Sequence, residues 1–247
     1  MNQENIEKAL LGFDDESESV ELGAVLKKMN IPSSPVNKAA LNKFAAQSIK
    51  RNIVQKNLTK GQGLLYAQAS NLELETRKNW DAGRISFTDA EKYIRKDISL
   101  GAGMVDLFED SVAKEVGTTN ISKGRLDDGE NLMLERVEVS FDRGTGITTK
   151  TADFAPVDNT VDNALFNGEL EIISGGKTII RIPLNSFNIP RELGCPANGF
   201  NLKSPKLIKE KEEIQARIHF PSGIAMTSGS DKDIIEVKFI GTATKIR

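Results

Sequence analysis

The 247-residue chain contains one histidine and one cysteine, His219 and Cys195, so the side chains best suited to acid–base and nucleophilic chemistry can meet in one pair at most. A thiolate nucleophile needs a base within hydrogen-bond reach. Cys195 stands in a Pro/Gly loop, Gly194-Cys195-Pro196, while His219 alternates with Ile218 and Phe220 and so points away from their face. A satisfied surface or interface histidine is the favoured reading. One cysteine allows no intrachain disulfide and no multi-cysteine metal site. The stretch Asp158-Asn159-Thr160-Val161-Asp162-Asn163 has the oxygen density of a calcium loop but misses the glycine and distal glutamate of an EF-hand, which favours a solvated loop. Gly101-Ala102-Gly103 lacks the third glycine and the preceding strand of a dinucleotide fingerprint and is read as punctuation before a helix. No catalytic residue, metal ligand or cofactor site is assigned, and an enzyme is not expected.

Charge is arranged in blocks, although the net charge is only −2. Residues 1–25 hold seven acids against Lys8 alone and read as an acidic, mobile segment. Residues 26–71 hold eight bases and no acid. Within them Ser34-Pro35 suits a helix start, and Leu41, Ala45, Ile49 and Ile53 recur every four residues, so an amphipathic helix is expected from about 35 to 58. Lys43, Lys50, Arg51 and Lys56 are its candidate contact residues. Three readings stay open for them: a solvated face, sequence-independent contact with nucleic acid phosphates, or docking on an acidic protein surface such as the acidic segment of another copy. No run approaches 18 apolar residues, so no membrane-spanning segment is expected, and the acidic start lacks the pattern of a secretory leader.

The elements that would position these groups fall into two kinds. Leu65, Ala69, Leu72, Thr76 and Trp80 predict a helix over about 64–80, after an interruption at Gly61 and Gly63. Thr88-Asp89-Ala90-Glu91 has capping-box spacing and predicts a short helix to about Ile98, and Met104, Phe108, Val112 and Val116 step by four toward Gly117. Residues 26–117 are therefore expected to be helical, with a polar border over 117–130. Beyond it the period becomes two: Val137, Val139 and Phe141, then Ile214, Ala216, Ile218 and Phe220, then Ile235, Val237 and Phe239. Two β-branched runs flank Gly175-Gly176, a pair suited to the positive φ angles of a two-residue hairpin turn. A register continued through that turn sets Ile172 opposite Ile179 and Leu170 opposite Arg181. Six or seven strands over 130–247 predict an antiparallel β-sandwich, and the chain as a whole an α+β protein.

Three stretches carry a resemblance: Leu132-Met133-Leu134-Glu135-Arg136-Val137-Glu138-Val139, Asn163-Ala164-Leu165-Phe166-Asn167-Gly168-Glu169-Leu170, and Ile180-Arg181-Ile182-Pro183-Leu184-Asn185-Ser186-Phe187. Their layout resembles the β-barrel region of coat proteins from bacterial viruses. The resemblance implies a jelly-roll sandwich without catalytic residues. It implies a capsid protein made in the host cytoplasm and resident in the virion, self-assembling as a homo-oligomer and touching other virion proteins. The alternative is a non-viral β-sandwich binding module recognising a glycan or protein partner. With Tyr and Trp together totalling three, stacking on sugars is poorly supplied.

Overall fold

In a computed structural model of the chain, the residues described are 58–99, 101–108, 113–157, 162–187, 199–227 and 229–246. All but the last residue of the expected helix over 35–58, with Lys43, Lys50, Arg51 and Lys56, and the whole acidic segment over 1–25 lie outside them. Lys60–Arg247 forms one compact unit. In chain order it contains α1 (Lys60–Ala67), α2 (Leu74–Asp81), β1 (Ile85–Asp97), β2 (Met104–Asp106), β3 (Leu132–Gly144), β4 (Ala155–Pro156) and α3 (Asn163–Phe166). It continues with β5 (Glu169–Ser174), β6 (Lys177–Pro183), β7 (Gly199–Ile208), β8 (Ile214–His219) and β9 (Lys232–Ile246).

The strands form two antiparallel sheets. One runs β1-β9-β3, with β7 and the two-residue β4 both on the far side of β3, and the other runs β2-β8-β5-β6. Side chains of both sheets share one apolar core: Ile94, Val137, Val139, Ile235, Val237 and Phe239 from the first, and Leu170, Ile172, Ile180, Ile182, Ala216 and Ile218 from the second. This is a β-sandwich-like arrangement. Alternation explains most of it, since strand side chains point to opposite faces in turn. In β3 the alternation changes phase: Leu132 and Leu134 face the core at even positions, Val137, Val139 and Phe141 at odd ones. A bulge at Glu135 supplies the extra residue, with the ladder shifting between Leu134 and Arg136.

Several expectations are corrected. The residues expected to form a capped helix are β1, which pairs with β9 along all thirteen of its positions from Ile85↔Ile246 to Asp97↔Ile234. Thr88, Tyr93 and Ile94 are strand formers, and a ladder of that length overrides a four-residue capping signal. The every-fourth spacing from Met104 to Val116 is not a helical stripe either: Met104 begins β2, Leu107 and Phe108 are buried in the core, and Val116 is 91% exposed. Thus 117–130 does not divide a helical half from a β half. The helix expected over 64–80 is two, because Leu72 and Glu73 are extended and separate α2 from α1. Gly61 does not interrupt; it lies in the first turn of α1 and lets that helix approach β9, since a Cβ there would overlap Thr242. The turn at Gly175-Gly176 is as expected, with φ of 55° and 74°. Its register is not: a bulge leaves Ile179 unpaired, so Ile172 faces Ile180 and Leu170 faces Ile182. The bulge puts Ile180 and Ile182 on the core side with Leu170 and Ile172, where a straight register would have separated them.

Candidate interaction surfaces

At one end of the sandwich, the end of β3, the start of β9 and the links leaving β4 and β8 meet in a charged knot. Arg143 in β3 donates from Nε and Nη2 to both oxygens of Asp233, its register partner in β9, at 2.5 and 3.1 Å. Asp162 also faces this guanidinium, at 3.6 Å. It caps α3 by accepting from Ala164 N–H at 2.9 Å, and it accepts from the backbone N–H of Thr227 at 2.9 Å and from its hydroxyl. Burial pushes the Asp162 carboxyl up, but the Thr227 hydroxyl, the two N–H donors and the Arg143 charge outweigh it and hold its pKa below the ordinary value. Of the suspected calcium loop, residues 158–161 lie outside the described residues; Asp162 is committed to this cap and Asn163 opens α3. Beside the knot is an open cleft of about 440 Å³ lined by Asp97, Ile98, Ser99, Gly101, Val105, Asp231 and Lys232. Its charged groups already have partners: Lys232 pairs with Asp97 at 3.3 Å, and Asp231 accepts from the Thr145 hydroxyl at 2.5 Å. Gly101 packs on the Phe220 ring, which accounts for a small residue there.

The outer face of the four-stranded sheet carries ion pairs between strands. Arg217 meets Asp106 at 3.2 Å and Arg181 meets Glu169 at 2.6 Å. His219 donates from Nε2 to Glu171 at 2.8 Å, the satisfied histidine that its alternation suggested. The Thr178 hydroxyl and then His219 hold the Glu171 carboxyl below its usual pKa. No group of three or more His, Cys, Asp or Glu arranged to hold a metal occurs among the described residues. Cys195 lies outside them. No described helix is long and apolar enough to cross a membrane.

The third surface, along β1, has no counterpart among the candidates from sequence. Arg95 pins two chain segments to it: its guanidinium donates to Glu236 at 2.7 Å and to the carbonyls of Gly117 and Thr149 at 3.4 and 3.2 Å, and lies over the rings of Tyr93 and Phe154. Residues 117–120 thereby cover the edge of β1 from Glu91 to Arg95, with Arg95 N–H donating to Thr118 O and Tyr93 N–H to Asn120 Oδ1. Among the described residues none gives the first half of the strand, Ile85–Ala90, such cover. Beside it stand Tyr66, Trp80 and Phe87, with Trp80 5.7 Å from Tyr66 and 5.4 Å from Phe87 between ring centroids. The alternation of Ile85 with Phe87 and of Tyr93 with Arg95 was the available signal, masked by the capping-box spacing.

Comparison with known protein families, with curated proteins and with solved structures finds no match to this chain.

Proposed function

We propose that the chain is a virion structural protein of a bacterial virus, a coat or minor capsid component that assembles with copies of itself and with other virion proteins, and that its sandwich is a jelly roll. The observation that carries this reading is the strand order. Sheets ordered β1-β9-β3-β7 and β2-β8-β5-β6 alternate between sheets at every step except the β5–β6 hairpin, β4 aside, as two interleaved Greek keys require. That architecture serves viral capsid and lectin domains and cupins. Here the space between the sheets is packed with aliphatic side chains and Phe187 and Phe239, leaving loops, faces and edges for partners. The opposed charge blocks over 1–25 and 26–71 suit contacts between copies, and Lys43, Lys50, Arg51 and Lys56 suit phosphate or acidic partners.

The test is size measurement of the purified protein across concentration in low and molar salt, followed by electron microscopy. Shells, rings or other closed assemblies are the expected result. A strict monomer at high concentration in both salts overturns the proposal and favours the binding-module alternative.

A further inference from the structure

Building on the assembly reading above, we propose that the open half of β1, Ile85–Ala90, is an interface between two copies of this chain, paired antiparallel about a two-fold axis at Phe87. The direction of the backbone is settled by the covered half. Tyr93 and Arg95 donate their N–H groups to Asn120 Oδ1 and Thr118 O, and the Glu91 carbonyl accepts from Asn120 Nδ2, so these groups turn away from β9. Odd-numbered residues of β1 therefore turn their backbone groups outward, and Ile85, Phe87 and Asp89 present unmatched donors and acceptors along the edge.

The occupant follows from the state of the other edges. β7 bears Lys203, Pro205 and Lys206 at a break in its ladder, where pairing jumps from Asn201 to Lys206. β6 is bulged at Ile179 and carries Lys177, Arg181 and Pro183. β2 has three residues and β4 two. Lysines, prolines, bulges and short length are the usual guards against strand addition. Among the described residues one long edge is thus open, and two copies can join edge to edge only through the same stretch, which is an isologous contact. Pairing about Phe87 sets Asp89 of one copy opposite Ile85 of the other, beside its Arg84, and both Arg84 and Asp89 are exposed. Arg84 stands just before the regular strand and so is not held to its alternation, which brings opposite charges close at both ends, while the two Asp89 carboxylates stay about 14 Å apart. The Tyr66–Trp80–Phe87 cluster adds the aromatic content typical of interface centres.

The experiment uses the full chain, with sedimentation equilibrium from micromolar to millimolar concentration and hydrogen exchange over Ile85–Ala90. Dimer should grow with concentration, with exchange slowing at Ile85, Phe87 and Asp89 and a change in emission from Trp80, the chain's single tryptophan. Arg84→Asp should weaken the dimer about tenfold or more by placing like charges at both ends, and adding Asp89→Arg should restore it with Tm unchanged. Association without slowed exchange in this stretch, or a double reversal that restores nothing, overturns the interface. Shells that form while these amides exchange freely sink the interface and leave the assembly reading standing. Protected dimers that never grow larger do the opposite, and no association at all refutes both.

Discussion

Replacing Arg143 by Gln tests whether the knot at the end of the sandwich holds it together. The substitution leaves the Asp233 carboxylate, whose side chain is 0% exposed, without either of its guanidinium bonds. Breaking a buried pair from one side costs about 3–5 kcal/mol. Arg143 is 31% exposed, so water can re-solvate part of the site and about 2–3 kcal/mol is the better expectation. For a domain of this size that is a fall in Tm of roughly 5–10 °C. The Arg181–Glu169 pair, 54% and 42% exposed, is an internal control, and Arg181→Gln should cost about 0–1 kcal/mol. Denaturant unfolding at neutral pH, read by circular dichroism, measures both. Replacing both partners, as Arg143→Met with Asp233→Leu, should recover part of the loss because the buried Asp233 carboxylate is no longer stranded, while Asp162 still loses the guanidinium and keeps its Ala164 and Thr227 donors. Equal losses for Arg143→Gln and Arg181→Gln would refute the reasoning.

Gly241→Ala should destabilise by about 2–4 kcal/mol, measured in the same unfolding experiment, because a Cβ there would overlap the backbone carbonyl of Met133, which cannot swing aside. Acid should weaken the fold through Asp162 and Glu171: their folded pKa values are depressed, so their contribution is full above the ordinary carboxylate range and is lost as pH falls through it and below. Unfolding curves at stepped pH should show this, and Asp162→Asn should flatten part of the slope. Replacing Lys43, Lys50, Arg51 and Lys56 with Gln should, if they meet phosphates, flatten the salt dependence of nucleic acid binding by about one unit for each phosphate that is no longer neutralised. If they dock on acidic residues of another copy, assembly weakens instead and charge reversal on both sides restores it.

Much of the sandwich was legible because strands with one face in a core must alternate, as Val137–Phe141, Ile214–Ile218 and Ile235–Phe239 do. What escaped is non-local. Nothing near Thr88-Asp89-Ala90-Glu91 reveals that residues 234–246 will pair with it, and the local pattern on its own favours a capped helix. The bulges at Glu135 and Ile179 escaped for a related reason, since the one extra residue left out of the ladder leaves no mark in composition. Of the candidate sites, His219 was legible from its neighbours, but its partner Glu171 lies 48 positions earlier and is found only by placing β5 beside β8. The open edge of β1 could not be seen while that segment was read as helix.

The placement of β9 between β1 and β3 also sets the order in which the molecule can be completed. During synthesis β1 and β3 emerge well before the strand that must separate them, and Ile85 waits for a partner 161 positions later. Until Lys232–Ile246 has left the ribosome, the larger sheet has a gap at its centre and the apolar sides of Ile94, Val137 and Val139 lack Val237 and Phe239. Such long-range closure is slow and leaves sticky surface open to other nascent chains. Chains truncated before Lys232 should therefore aggregate or be degraded rather than persist as competent partial folds, which would keep incomplete copies out of any assembly the finished protein makes.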